Sequence, residues 1–417
     1  MEARPAISTE EVTATVSPEA GKIPREIFLA SGAHFTNDLY NGFLGPLLPM
    51  LVVKLNLSLA LAGTLVSVLS VFNSLAHPFT GLVADRLRRN YFIVFAPLMT
   101  GFFMSMIGLV NSYWSLVIIL SLSGIGTSLF HPQAAALVGR LTHSRKALSM
   151  SVFSLGGSMG IALGPLLIVP LVSRFGLHAS VFTVLPAVAI AFIAFPLLNL
   201  ARPERKSARI AAWKGLSGMW GIVTLLYLMV VVRGAVVILF QNFIPLYLTR
   251  KGESLFLAAT AVTVFQISGA GGNLIGGYLS DRMSKRRVLL ISYFFSVPFA
   301  LLFLWAPQPF GLIFLSLAAL FLLSSTPVNI ILGQQLLPQN ASFISGIMMG
   351  FAWGMAGLMA TPVGALADKI GLSHSLFGIA LLPLLGFLLA LKCPGEEYFA
   401  ARGQSALLRK QSGREPV

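Results

Sequence analysis

The sequence predicts an all-α polytopic membrane protein of twelve transmembrane helices in two pseudo-symmetric six-helix bundles. Three observations carry that expectation. First, 56% of the 417 residues are apolar and only 10% are charged, whereas a soluble protein is nearer a quarter charged. Second, twelve apolar segments of spanning length can be drawn, over 25–53, 58–84, 91–110, 114–139, 147–173, 178–200, 217–249, 255–280, 287–306, 310–336, 342–367 and 374–392. Third, the second six repeat the first: Gly81-x-x-x-Asp85-Arg86 aligns with Gly277-x-x-x-Asp281-Arg282 at an offset of 196, which also sets Pro49 on Pro245 and Lys54 on Arg250. Two parallel six-helix repeats are the signature of a rocker-type secondary transporter, whose site lies between the halves near the midplane.

Loop charge orients the spans. One set of loops carries Arg86, Arg88, Arg89, Arg140, Arg145, Lys146, Arg202, Arg205, Lys206, Arg209, Lys214, Arg282, Lys285, Arg286 and Arg287. The opposite set holds Lys54, Arg174, Arg250, Lys251 and Lys369, so the ratio is 15 to 5. That bias places both termini in the cytoplasm, and in a bacterium the membrane is the inner one. It also accounts for the net charge of +15 without nucleic acid as a partner. Residues 1–24 read as a disordered cytoplasmic tail and not a cleaved leader. The N-terminal bundle then covers 25–200, a basic cytoplasmic linker 201–216, the C-terminal bundle 217–392 and a second cytoplasmic tail 393–417. The single cysteine, Cys393, excludes a disulfide framework and a thiol metal site. A monomer in the lipid bilayer is expected.

The spans divide by what polar residues they carry. In the first, His34, Asn37, Asp38 and Asn41 fall at i, i+3, i+4 and i+7 and form one polar stripe. Asp38 is the one carboxylate expected in the middle of a span, where an ionisable group is costly unless paired, hydrated or protonated. The second and eighth spans end in the Asp-Arg loops, where Gly81, Asp85, Arg86, Gly277, Asp281 and Arg282 are expected to cap helices and form a cytoplasmic gate. The fourth holds His131-Pro132, at the same depth as His34. The fifth carries Gly156-Gly157-x-x-Gly160-x-x-x-Gly164-Pro165, a close-packing surface. Arg233 in the seventh is the only Lys or Arg expected mid-span. The repeat maps it beside Asp38, which predicts either a charge pair broken and remade during transport or a static buried salt bridge. Gln241 and Asn242 in the seventh span, Asn329 in the tenth and Trp353 in the eleventh are candidates to line a central cavity, with Tyr40 and Phe130 completing an aromatic wall.

The loop motifs resemble those of the major facilitator superfamily, although the usual glycine is replaced by Arg88 in the first copy and Ser284 in the second. Within it, His34-x-x-Asn37-Asp38 together with Gly124-x-Gly126-x-x-x-Phe130-His131-Pro132 is similar to the fosmidomycin-resistance efflux group. The resemblance covers residues 25–392 and implies proton-coupled export. The glycines of the fifth span partly match the antiporter motif of such exporters, without its trailing glycine pair.

The expected function is therefore proton-coupled antiport of a small drug-like or anionic compound. Asp38, His34 and Arg233 would couple protons, and His131, Asn37, Asn41, Arg233, Gln241, Asn242, Asn329 and Trp353 would meet substrate. Uptake of a small metabolite on the same fold is the alternative, and a scaffold that moves nothing is a third. No phosphate-cradling Gly-x-x-x-x-Gly-Lys-Ser/Thr sequence is present, which excludes a P-loop ATPase. No metal-spaced His/Cys set and no catalytic triad order is evident, so neither a cofactor nor enzymatic activity is expected.

Overall fold

A computed structural model describes residues 23–75, 89–141, 146–199, 219–336, 344 and 347–399. Both tails beyond these, the linker 201–216 and the first Asp-Arg loop lie outside the described residues. The first span is two helices, α1 (Arg25–Asn41) and α2 (Leu44–Leu55). The break falls at Gly42-Phe43 because Pro46 has no N–H to offer the Gly42 carbonyl. Asn56 ends α2 at φ 48°, a left-handed turn that asparagine tolerates. Next come α3 (Leu59–Ser70), extended by a π-turn over Val71–Leu75, then α4 (Tyr91–Ser105), α5 (Tyr113–Leu141) and α6 (Lys146–Phe175). α7 (Val184–Ile193) is flanked by 3-10 turns at Leu177–Thr183 and Phe195–Asn199.

The second half runs α8 (Trp220–Arg250), α9 (Leu255–Ser280), α10 (Lys285–Trp305) and α11 (Gly311–Leu336). A π-turn at Ile347–Phe351 then leads into α12 (Ala352–Leu358), α13 (Ala360–Ile370) and α14 (Leu372–Leu391). All twelve expected segments contain helix, and the described residues hold no strand. Among the described residues, eight helices are long and apolar enough to cross a membrane. The first, second, sixth and eleventh spans differ from single ideal helices through the breaks, π-turns and 3-10 turns just described.

The repeat is visible in the caps. Ser58 accepts from the Leu61 N–H and Ser254 from the Leu257 N–H, each at 3.1 Å, so two N-caps 196 residues apart do the same work. Within the first half, α1 lies along α6, and within the second α9 along α11. Between halves, α3 packs on α12 and α13, α6 on α9, and α2 on α8. A Cβ on Gly63 would come 2.1 Å from the Ala360 carbonyl oxygen, and one on Gly45 would come 2.3 Å from that of Gln241. Glycine is what lets those backbones touch.

Candidate functional site

The polar stripe of α1 faces α5 and α6, and its centre is Asp38. Asp38 Oδ2 lies 3.2 Å from His34 Nε2, one helical turn back, and Oδ1 lies 3.4 Å from His131 Nε2 on α5. Oδ1 also accepts from Asn37 Nδ2 at 2.9 Å and from Asn41 Nδ2 at 3.5 Å. Asn37 is held in turn by the Thr100 hydroxyl of α4, which donates to its Oδ1 at 3.1 Å. The acid is 6% exposed, so it is satisfied by side chains and not by bulk solvent.

His34 has little freedom. Its Nδ1 is 2.8 Å from the Phe153 carbonyl oxygen. A carbonyl only accepts, so Nδ1 carries the hydrogen. The ring stacks on Phe153 at 4.2 Å between centroids and meets Phe130 and His131 at 5.6 and 5.1 Å. With Nδ1 committed, Nε2 of a neutral ring presents a lone pair to the carboxylate. Two acceptors do not hold a 3.2 Å contact; a proton on the imidazole turns it into a charge-assisted hydrogen bond, and one on the carboxyl into a neutral O–H···N bond. His131 approaches the other oxygen and is more open, with 30% of its side chain exposed. The cluster is thus a built place for a shared proton. Its three ligand atoms lie within 4.8 Å of one another, a spacing that could also hold a metal ion. The sequence shows no metal-spaced His/Cys set, and this group does not read as one there because it draws on two distant spans and includes a carboxylate.

Arg233 is not the partner of Asp38. It is buried to 1% exposure inside the C-terminal bundle, beside Tyr293, and among the described residues no ion pair joins it to any carboxylate. Its Nε and Nη1 have no hydrogen-bond partner. Tyr293 donates to the Met229 carbonyl at 2.8 Å and neighbours Ser325 and Asn329. Asn329 is fully buried, with both amide atoms unpaired. The repeat places Arg233 at the depth of Asp38 on its own helix, but pseudo-symmetry fixes depth and not the facing direction.

Amides link this site to the second half. Gln241 Nε2 on α8 donates to the Asn41 carbonyl at 3.3 Å, and Gln266 Nε2 on α9 donates to Gln241 Oε1 at 2.9 Å. Asn73, in the π-turn after α3, donates to Asn41 Oδ1 at 3.4 Å. A polar chain therefore runs from the histidines through Asp38 and Asn41 into the second bundle. Nothing in the sequence distinguishes Gln266 from other amides in spans, and Asn73 gives no signal because a π-turn, not helical periodicity, aims it. Other candidates fall elsewhere. Asn242 donates back to the Ile238 carbonyl at 2.8 Å. Tyr40 is fully buried against the sixth span, donating to the Thr183 carbonyl at 2.6 Å. It forms no wall with Trp353, which is half-buried on α12. Phe130 packs on His34 instead.

Of the expected gate, Gly81, Asp85 and Arg86 lie outside the described residues. In the second copy Asp281 caps the end of α9 and pairs with no cation among the described residues. Arg282 lies over the Tyr278 ring at 4.3 Å, and Gly277 faces open space.

Comparison with known proteins agrees with this architecture. The chain is 27% identical over 370 residues to the MFS-type transporter YfnC of Bacillus subtilis (strain 168), covering 85% of this chain and 89% of that one. It is 25% identical over 363 residues to the fosmidomycin resistance protein of Escherichia coli (strain K12), with the same shares covered. The multidrug resistance protein MdtG of Yersinia enterocolitica is 27% identical over a shorter stretch, 42% of this chain and 44% of that one. Among solved structures, a bacterial homolog of the human lysosomal transporter Spinster, inward-facing and unoccupied, superposes with a TM-score of 0.74 at 14% identity, over 90% of this chain and 97% of that one. The nucleoside transporter NupG superposes with a TM-score of 0.71 at 14% identity, over 89% and 100%. The family model described as Major Facilitator Superfamily matches residues 30–361, and with the helical repeat this chain belongs to that superfamily of transporters.

Proposed function

We propose that the protein is a proton-coupled antiporter that exports a small drug-like or anionic compound by alternating access, in a bacterial inner membrane with both termini cytoplasmic. One observation carries the reading: a buried carboxylate lies 3.2 Å from Nε2 of a histidine whose Nδ1 is committed to a carbonyl oxygen, a contact that needs one proton to be favourable. In the outward-facing state the cluster gains that proton from outside. In the inward-facing state it gives the proton up as substrate is captured, and the amide chain through Asn41 and Gln241 carries the change to the second bundle. The names of two relatives, a fosmidomycin resistance protein and a multidrug resistance protein, support export over uptake.

The test uses inside-out vesicles with an acidic lumen and a pH-sensitive dye. Adding a transported solute discharges the gradient in vesicles containing the protein and not in empty ones. Solute movement that ignores the gradient, or a panel response equal to empty vesicles, sinks the reading.

Arg233 supports an anionic substrate, because a buried guanidinium without a counter-ion among the described residues calls for one. Arg233→Met removes the unpaired charge while keeping volume. The apo protein is expected to melt a few degrees higher, and the stabilisation that organic phosphonates or carboxylates give the wild type is expected to vanish. Thermal-shift measurement with and without the anions checks both; a lower apo melting point with an intact anion response would mark Arg233 as structural.

A further inference from the structure

The seam between α3 and α13 carries a contact with no counterpart elsewhere in the described residues. Asp368, in the last turn of α13, belongs to the second bundle. Its Oδ1 accepts the Leu59 N–H and its Oδ2 accepts the Ala60 N–H, both at 2.8 Å. Leu59 and Ala60 open α3, a helix of the first bundle. The first-turn N–H groups of a helix have no partner inside it and carry its positive end. Here Ser58 takes the Leu61 N–H, and a carboxylate from the other bundle takes two of the rest. Both oxygens of Asp368 are thus committed across the seam.

The contact is continued by a second set of bonds. The Ser67 hydroxyl donates to the Gly357 carbonyl at 2.9 Å and accepts from the Thr361 N–H and hydroxyl at 3.2 and 2.9 Å. Glycines at 63 and 364 admit the backbones, since a Cβ on either would meet a carbonyl oxygen at 2.1 or 2.2 Å. The repeat does not reproduce the acid: the equivalent positions in the first half are Leu171 and Val172. At the start of α9 the cap is Ser254 alone. The two seams therefore differ, and only one is tied by a charge.

We propose that Asp368 is the positioning residue that keeps the bundles shut on the face away from the chain ends. It does so by capping α3 from the opposite bundle, and it releases the Leu59 and Ala60 amides each time that face opens. The proposal rests on the alternating-access reading above, though not on what drives the cycle.

The test is a distance measurement in the full-length protein with Cys393→Ser. Spin labels go on Leu61→Cys and Leu366→Cys, which are 39% and 45% exposed on either side of the seam. Double electron–electron resonance on the parent is expected to give a short-distance population. Asp368→Ala adds a longer one, with the closed-to-open ratio falling about tenfold. Asp368→Asn stays near the parent, because a neutral side-chain oxygen still accepts from helix N–H groups. Should Asp368→Ala not purify, Leu59→Pro serves. Proline is accepted at a first helical position after the extended Ser58, and it deletes one donor. Leu59→Ala keeps the donor and controls for the shortened side chain. The proposal is overturned if Asp368→Ala gives the parent's distances or, in the fallback, if Leu59→Pro matches Leu59→Ala. If the latch is wrong, solute-driven gradient discharge in vesicles is unaffected; if proton coupling is wrong, that discharge is absent while the distance shift remains.

Discussion

Asp38→Asn yields a protein that is made, inserted and folded, and that no longer moves solute under a pH gradient. The amide is the size of the acid and can donate to His34 Nε2 much as the protonated carboxyl would, across the contact that now spans 3.2 Å. It keeps an oxygen for Asn37, whose bond to Asp38 is 2.9 Å. The site is therefore satisfied without a proton, and the usual penalty for leaving a buried polar group unpaired does not arise. What is lost is the ability to gain and release charge. Gradient-driven flux is expected to fall by about a hundredfold, to the level of empty vesicles. Solute exchange with no gradient imposed should persist, since the binding groups are intact. Full gradient-driven efflux from Asp38→Asn vesicles would refute the coupling role.

The architecture was legible because membrane solvent is strict: every backbone polar group must be satisfied within the span, and only helices do that with a run of apolar residues. Length and the offset at Gly81 and Gly277 therefore sufficed for the fold class. The stripe His34, Asn37, Asp38 and Asn41 was legible for the same reason, since an acid in a span demands partners. Which partners it takes was only half legible. Equal depth brought His34 and His131 together correctly, because both lie on spans of one rigid bundle. The same argument misplaced Arg233, because rotation about a helix axis decides whether a side chain faces the interface or its own bundle, and the apolar residues around Arg233 in the seventh span give no azimuth. Asn73 and the break at Gly42 depend on local departures from 3.6-residue periodicity, which a pattern with one fixed period cannot show. Asp368 was invisible as a contact because it sits at a span end, where carboxylates are ordinary.

Gly157→Ala is expected to be nearly as damaging to coupling as the loss of the acid, although it adds one methyl group. The new Cβ would stand 2.3 Å from His34 Nε2 and 2.8 Å from Asp38 Oδ2, inside the pair itself. Neither neighbour can yield. The imidazole is pinned by its bond to the Phe153 carbonyl at 2.8 Å and by the ring of Phe153 stacked at 4.2 Å. The carboxylate is pinned by Asn37 at 2.9 Å and approached by His131 at 3.4 Å. Relief must come from α6 backing away from α1 or from the pair separating, and either costs about 1–3 kcal/mol of overpacking strain. Gradient-driven flux per folded molecule is expected to drop by about tenfold or more. Gly156→Ala separates packing from chemistry. Its Cβ would meet the Ser31 carbonyl at 2.5 Å, on the same seam but away from the acid. That variant is expected to lose thermal stability while each folded molecule transports normally. Wild-type flux in Gly157→Ala would mean that the close contact of His34 with Asp38 is incidental, since the contact cannot survive a methyl group in its midst.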